Sequence, residues 1–183
     1  MIKYEDLPEI KAAQKIIKKY NYTKDTLPVD VKQIMFDKGI IIHEKELPDE
    51  ISGVLDTTSE KPIVLIQKSH DKKRKRFSLA HELGHFILNS SSGSIHLDKH
   101  TYFRSHLSSF GIDTDEKKAN RFAAELLMPT HILLELLLED MPDLIDSNES
   151  DSLTALKELA KKFDVSIAAL TIKISGVIKG MRF

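Results

Sequence analysis

The chain has 183 residues, of which 41% are hydrophobic and 30% are charged, as is typical of one globular domain. Its 27 basic and 28 acidic side chains nearly cancel to a formal net charge of −1, so no overall attraction to nucleic acid or an anionic membrane is expected. There is no cysteine, which excludes disulfides and thiolate metal sites. No apolar run approaches the roughly 20 residues that span a bilayer, and the N-terminus lacks a signal-peptide core. We therefore expect a cytoplasmic protein that does not enter membranes.

Hydrophobic periodicity predicts two helices within the first 38 residues, followed by three short strands. Pro8 and Pro28 suit the first turns of the two helices, and Gly39 is expected to end the second. The runs that follow have strand character and are separated by turn-like segments. The predicted strands are residues 40–43, 52–56 and 62–67.

Helical periodicity returns after the third strand. A long polar segment, residues 89–114, interrupts it and is expected to form a mobile loop at the rim of the substrate cleft. An acidic, turn-rich stretch, residues 142–151, separates the last two helices from the rest. The predicted helices are residues 77–88, 115–128, 130–139, 152–163 and 166–178.

The strongest motif is HELGH at residues 81–85. On a helix, His81 and His85 are offset by only about 40° around the axis, so both imidazoles can bind one metal ion. Glu82 lies about 100° away, where it can act on a water molecule at the metal without being a ligand. Gly84 costs about 1 kcal/mol relative to Ala in a helix, which indicates close packing of another backbone, such as the third strand. A chance pair of exposed histidines is the other interpretation, but the apolar flanks favour the metal site.

A catalytic zinc site usually has three protein ligands, so one more ligand is needed. A third histidine in the pattern HExxHxxGxxH is excluded, because the sequence has Leu88 and Ser91 at the required positions. Glu116 fits best, on the next helix and on the same face as Asn120, which can orient a ligating histidine. An acidic residue at a helix N-terminus is the other interpretation of Glu116. Glu125 lies about 180° around that helix and cannot face the same metal. The remaining rivals for the third ligand are His96, His100 and His106.

Two segments resemble the ImmA/IrrE family of metallopeptidases: RKRFSLAHELGHFIL at residues 74–88 and EKKANRFAAELLMP at 116–129. The preceding order of helices and strands is similar as well, so the resemblance covers most of residues 25–140. It implies a minimal zincin fold that cleaves proteins, often helix-turn-helix repressors that regulate mobile elements, prophages or stress responses. By position, it implies Zn²⁺ ligands at His81, His85 and Glu116 and a general base at Glu82.

Together these features predict an α+β protein with two parts. Residues 1–140 are expected to form a minimal zincin-like metallopeptidase core of helices and a small three-stranded sheet. Residues 141–183 are expected to form a C-terminal helical, helix-turn-helix-like subdomain. The predicted function is that of a zinc endopeptidase whose protein substrate is a transcriptional repressor. The alternatives are a non-catalytic antirepressor on a zincin fold and a toxin-like protease, and the intact Glu82 favours an enzyme over a binding module.

Two basic segments raise the question of DNA binding. Residues 68–76 contain six Lys or Arg, and the C-terminal helix pair resembles a helix-turn-helix with Asp164 where Gly is usual. Because the chain as a whole is slightly acidic, we expect the helix pair to pack on the domain and not to bind DNA at physiological ionic strength. The side chains available for DNA contact would be Lys157, Lys161, Lys162, Lys173, Lys179 and Arg182.

One further group of residues could donate a hydrogen bond to the tetrahedral intermediate of a hydrolysis reaction, from the side opposite the metal. Two of them, His100 and Tyr102, lie in the predicted loop and are the weakly preferred candidates. The full set is His100, Tyr102, Arg104, Arg121 and His131.

Overall fold

The computed structural model describes residues 3–88, 93–99, 114–140 and 149–178. Their helices and strands confirm the α+β class, and each predicted helix and strand is present, although the helix with the HELGH motif begins at Lys72 and not at residue 77. In this part of the chain, no helix combines the length and apolar character that a membrane span requires. The helices are α1 Pro8–Lys19, α2 Val31–Asp37, α3 Lys72–Leu88, α4 Thr114–Leu127, α5 Thr130–Glu135, α6 Glu149–Phe163 and α7 Ile167–Ile178. The strands are β1 Ile41–Lys45, β2 Ile51–Asp56, β3 Ile63–Gln67 and β4 Ile95–Lys99.

The chain divides into two compact units. One comprises Met1–Val29 and Ala124–Phe183, and the other comprises Asp30–Ala123. The second unit therefore contains α2, the sheet, α3 and the first turns of α4. The predicted boundary between residues 140 and 141 stays a prediction, because residues 141–148 lie outside the described part of the chain.

The sheet of the second unit has the strand order β1-β3-β2-β4. Strand β3 is parallel to β1 and antiparallel to β2, and β2 is antiparallel to β4. Because β3 lies between two strands, its apolar sequence IVLIQ is well covered and none of its residues is exposed. Helix α2, which precedes the sheet, begins at Asp30, whose carboxylate accepts a hydrogen bond from the backbone N–H of Gln33. It ends before Gly39, which has a φ of +74°.

The described sheet has four strands, so the prediction of a three-stranded sheet is wrong, and the additional strand is β4. It lies inside residues 89–114, where the sequence predicts a loop, and it pairs with the edge of β2. Its sequence IHLDK alternates apolar and polar residues, but the run is short and flanked by polar residues, so the strand signal is weak without the pairing partner. Residues 89–92 and 100–113 lie outside the described part of the chain, so the predicted mobile rim stays a prediction.

Helix α3 is the central element of the second unit, in contact with α2 and with strands β2, β3 and β4. Its Leu79, Ala80 and Leu83 are buried. The expected close approach at Gly84 is present, but the neighbour is α4 and not β3. A Cβ atom at Gly84 would lie 3.2 Å from the Ala119 backbone and 3.0 Å from the Phe122 ring. Glycine therefore allows the two helices to pack closely next to the histidines.

The first unit contains the C-terminal helix pair α6 and α7. The two helices are joined at Asp164, whose φ of +52° is the left-handed conformation that glycine usually adopts at this position. Apolar residues of the pair, such as Phe163 and Leu170, are fully buried. Lys173, one of the six side chains that DNA binding by this segment would require, is buried beside Glu125. Lys179 and Arg182 lie outside the described residues.

A candidate metal centre

Helix α3 places both histidines of the HELGH motif on one buried face, as the four-residue spacing predicts. The side chains of His81 and His85 are only 2% and 1% exposed. Their Nε2 atoms lie 3.0 Å apart and therefore point toward a common position. Local helix geometry alone produces this pair, because residues four apart lie one above the other.

Glu116 in the first turn of α4 completes the cluster. Its Oε2 atom lies 3.1 Å from Nε2 of His81, and its Oε1 atom lies 3.2 Å from Nε2 of His85. Ligand atoms of the three residues all lie within 4.8 Å of one another. In a tetrahedral site with bonds of about 2.0–2.1 Å, ligand atoms are separated by about 3.3 Å, so the observed spacing fits a single ion. The cluster could therefore hold a metal ion.

Asn120, one turn after Glu116, orients the first histidine. Its Oδ1 atom lies 3.1 Å from Nδ1 of His81. A carbonyl oxygen only accepts hydrogen bonds, so Nδ1 carries the proton and donates it to Asn120. The Nε2 atom of His81 is then left with its lone pair directed into the cluster, as metal ligation requires.

The carboxylate of Glu82 is completely buried next to this cluster. Among the described residues, neither of its oxygens has a hydrogen-bond partner. Burial raises the pKa of Glu82, the positive charge of His81 opposes that rise, and the charges of Asp98 and Glu116 add to it, giving a pKa of about 8. The residue is therefore a stronger base than an exposed glutamate.

The charges within the cluster also shift the pKa values of His81 and Glu116. Burial lowers the pKa of His81, but the hydrogen bond with Glu116 and the charges of Asp98, Glu82 and Glu116 outweigh it and raise that pKa to about 9. Burial raises the pKa of Glu116, and its hydrogen bonds with His81 and His85 more than reverse this, so its pKa lies well below the usual range.

Strand β4 brings two further side chains to the cluster. His96 stacks on His85 with ring centroids 3.7 Å apart, and its Nε2 lies 3.3 Å from Oε1 of Glu116. Asp98 has an oxygen 4.0 Å from Nε2 of His81. The sequence suggests His96 only as a rival ligand and does not single out Asp98. The available signal is the alternation in IHLDK, which places both residues on one face of a strand.

The other residues that the sequence suggests as metal ligands or hydrogen-bond donors are not part of the described metal cluster. Glu125 accepts hydrogen bonds from Lys173 and Thr130, in agreement with its exclusion from the metal cluster. His131 is exposed on α5, and Arg121 is half-buried on α4. The residues that lie outside the described part of the chain are His100, Tyr102, Arg104 and His106.

Comparison with known proteins identifies the family of the chain. Residues 37–175 match the IrrE N-terminal-like domain, which defines a metallopeptidase family. The chain is also 30% identical over 125 residues to the uncharacterized immunity region protein 2 of Bacillus phage phi105, an alignment that covers 68% of this chain and 71% of that relative. The family match spans the sheet, the histidine helix and Glu116 together. On these grounds the chain belongs to the ImmA/IrrE family of metallopeptidases.

Proposed function

We propose that this chain is a zinc-dependent endopeptidase in which His81, His85 and Glu116 hold the ion and Glu82 is the general base. The observation that carries the proposal is a cluster beside a buried carboxylate, in which the two histidine Nε2 atoms lie 3.0 Å apart and each lies 3.1–3.2 Å from one of the two oxygens of Glu116. Family membership supports peptidase chemistry. Buried ionisable groups with strongly shifted pKa values are more typical of a functional site than of a core.

The donor set favours zinc. Two imidazoles and one carboxylate form a set that catalytic zinc sites use, with a fourth position left for water or substrate. When bound, Zn²⁺ would polarise the scissile carbonyl and lower the pKa of a water molecule. His81 and His85 supply neutral nitrogens and Glu116 supplies one negative charge. Asn120 holds the ring of His81 in the ligating orientation.

Glu82 would move the proton. A buried carboxylate next to the metal ligands can accept a proton from the attacking water and release it in the next step. The released proton goes to the leaving amine nitrogen as the peptide bond breaks. One residue then acts first as base and afterwards as acid.

The substrate is proposed to be a transcriptional repressor with a helix-turn-helix domain. The relative from phage phi105 is named as an immunity region protein, and a phage immunity region is a setting in which repressors act. Such a substrate would place the reaction in the cytoplasm. The C-terminal helix pair is proposed to support the peptidase and not to read DNA, in keeping with the burial of Lys173.

The proposal is tested by searching for new protein N-termini. The zinc-loaded chain and its Glu82→Gln variant are incubated with a peptide library prepared from a bacterial proteome that includes helix-turn-helix regulators. We expect the wild-type chain to create N-termini that the variant does not, concentrated in those regulators. Equal sets of N-termini from both proteins would contradict catalysis and favour the non-catalytic antirepressor.

Replacing Glu116 by Ala should weaken metal retention. The change removes one of three ligands and the only charge of the donor set, so zinc should fall well below one ion per chain after dialysis, as measured by atomic absorption. Asp115→Ala is the matched control, because Asp115 is next in the chain and binds Lys118 instead. Zinc retained by Glu116→Ala but lost on replacing His96 would show that the third ligand is His96.

A further inference from the structure

Gly53 of strand β2 lies directly against the carboxylate of Glu82. A Cβ atom built on Gly53 would be 2.6 Å from Oε1 of Glu82 and 3.3 Å from its Cγ and Cδ atoms. The first distance is too short for two non-bonded atoms. The smallest side chain at position 53 would therefore occupy the place that the Glu82 carboxylate now fills.

A positive φ does not explain why this position is glycine, although the pairing of β2 with β4 is irregular between Ile51 and Gly53. Among the described glycines, Gly39 and Gly93 have a positive φ and Gly53 does not, so any residue could adopt its conformation. A glycine inside a strand also weakens the strand relative to a residue with a side chain. The missing side chain is what distinguishes this position, and the group that uses the space is Glu82.

The position of the Glu82 carboxylate depends on this space. The carboxylate is completely buried, and no hydrogen bond from the described residues holds it. Packing against β2 then contributes directly to where it lies. Strand β2 is an inner strand, with Gly53 opposite Ile66 of β3 and Asp98 of β4, so the strand is held on both sides. An added Cβ would displace the end of the glutamate side chain more readily than it would displace the strand.

We propose that Gly53 is a positioning residue for the general base, because its lack of a side chain leaves the space that holds the Glu82 carboxylate beside the metal ligands. The inference rests on the proposed endopeptidase function. It assigns a role to a residue that has no side chain with which to bind the metal. It also explains how a buried carboxylate that has no hydrogen bond from the described residues is positioned.

The kinetic test is a double-mutant cycle with Gly53→Ala and Glu82→Asp. The probe is a quenched fluorescent peptide that spans a cleavage site found in the proteome library. Displacing a catalytic group by about 1 Å can lower a rate about a hundredfold, so Gly53→Ala should lower kcat by about that factor with little change in KM. Aspartate is one methylene shorter and leaves room for the Cβ. In the Glu82→Asp background, Gly53→Ala should therefore lower kcat by less than about threefold.

A matched control separates positioning from general damage to the fold. Gly84→Ala also adds a Cβ in a crowded place, but its neighbours are the Ala119 backbone and the Phe122 ring. Shortening Glu82 cannot relieve that contact, so Gly84→Ala should have the same effect on kcat in both backgrounds. Zinc content and the melting temperature are measured for every variant.

A direct structural measurement completes the test. Crystal structures of the zinc-loaded wild type and Gly53→Ala should show the Glu82 carboxylate displaced by about 1 Å or more while β2 stays in place. A carboxylate that has not moved would overturn the inference. So would a Gly53→Ala effect that is equally large in the Glu82→Asp background.

The cycle also distinguishes this inference from the proposed function. If Gly53→Ala keeps wild-type kcat while Glu82→Gln is inactive, the inference is wrong and the endopeptidase proposal stands. If the wild-type chain cleaves nothing, or Glu82→Gln cleaves as fast as the wild type, both are wrong.

Discussion

Glu82→Gln is expected to lower kcat by about a hundred- to ten-thousandfold while the fold and the zinc content are unchanged. Glutamine has nearly the same shape as glutamate but cannot take a proton from water. Glutamine fills the same completely buried space, and the exchange breaks no hydrogen bond from the described residues. The melting temperature should therefore stay the same.

The measurement is the initial rate of peptide cleavage at saturating substrate, together with zinc content and substrate binding. Glu60→Gln is the matched control, since it makes the same change at an exposed turn position and should keep the wild-type kcat. Full activity in the Glu82→Gln protein would remove Glu82 from the mechanism and point to a contaminating protease.

Glu125→Ala is expected to have the largest effect on stability. Glu125 is completely buried on α4 and binds Lys173 of α7, with Oε2 and Nζ 2.7 Å apart. Lys173 is 3% exposed, and its other described contacts are the hydroxyl and the ring of Tyr4. Removing the carboxylate leaves a buried ammonium without its anion, which costs about 3–5 kcal/mol of the free energy of unfolding. For a chain of this length, the melting temperature should fall by about 10 °C.

Removing the other partner should be less harmful. After Lys173→Met, the Glu125 carboxylate keeps hydrogen bonds from the backbone and hydroxyl of Thr130, from Tyr4 and from Gln14. Urea unfolding of the two variants should therefore rank Glu125→Ala as the less stable. Lys161→Met, at an exposed position of α6, is the control and should change stability by about 0.5 kcal/mol or less. A Glu125→Ala protein as stable as this control would contradict the importance of the ion pair.

The pH dependence gives a second check on the same pair. Burial lowers the pKa of Lys173 below its usual 10.5, and the charge and hydrogen bond of Glu125 oppose that shift. Without Glu125 the pKa falls further, so the folded state loses the lysine proton at a lower pH than the unfolded state does. The unfolded state then binds more protons, and stability rises with pH in that interval. The loss of stability that Glu125→Ala causes relative to the wild type should therefore become smaller as the pH approaches 10.5.

This ion pair also bears on the function of the C-terminal helices. From the sequence, Lys173 is one of six basic side chains that could contact DNA, and the structure instead commits it to a buried contact with Glu125. A truncation after Ser150 would leave Glu125 without its cation. Loss of stability in such a truncation therefore follows from the same contact as the Glu125→Ala effect.

The sequence alone determines the parts of the site that depend on local helix geometry. The spacing of His81 and His85 places them on one face because 3.6 residues make one turn. The same argument relates Glu116 to Asn120 and excludes Glu125, which lies on the opposite side of α4. Each of these relations holds within a single helix, so no knowledge of packing between elements is needed. Periodicity likewise predicts three strands of the sheet.

Tertiary structure decides everything that depends on which elements meet. Strand β4 forms because the edge of β2 supplies its hydrogen-bond partners, and only that pairing brings His96 and Asp98 to the metal ligands. The packing of α4 on α3 explains Gly84, and the packing of β2 on α3 explains Gly53. A lysine usually lies at the surface, but Lys173 is buried because the carboxylate of Glu125, 48 positions away in the sequence, neutralises its charge. Contacts between residues distant in sequence leave no periodic pattern, because each depends on a partner in another element and not on neighbours along the chain.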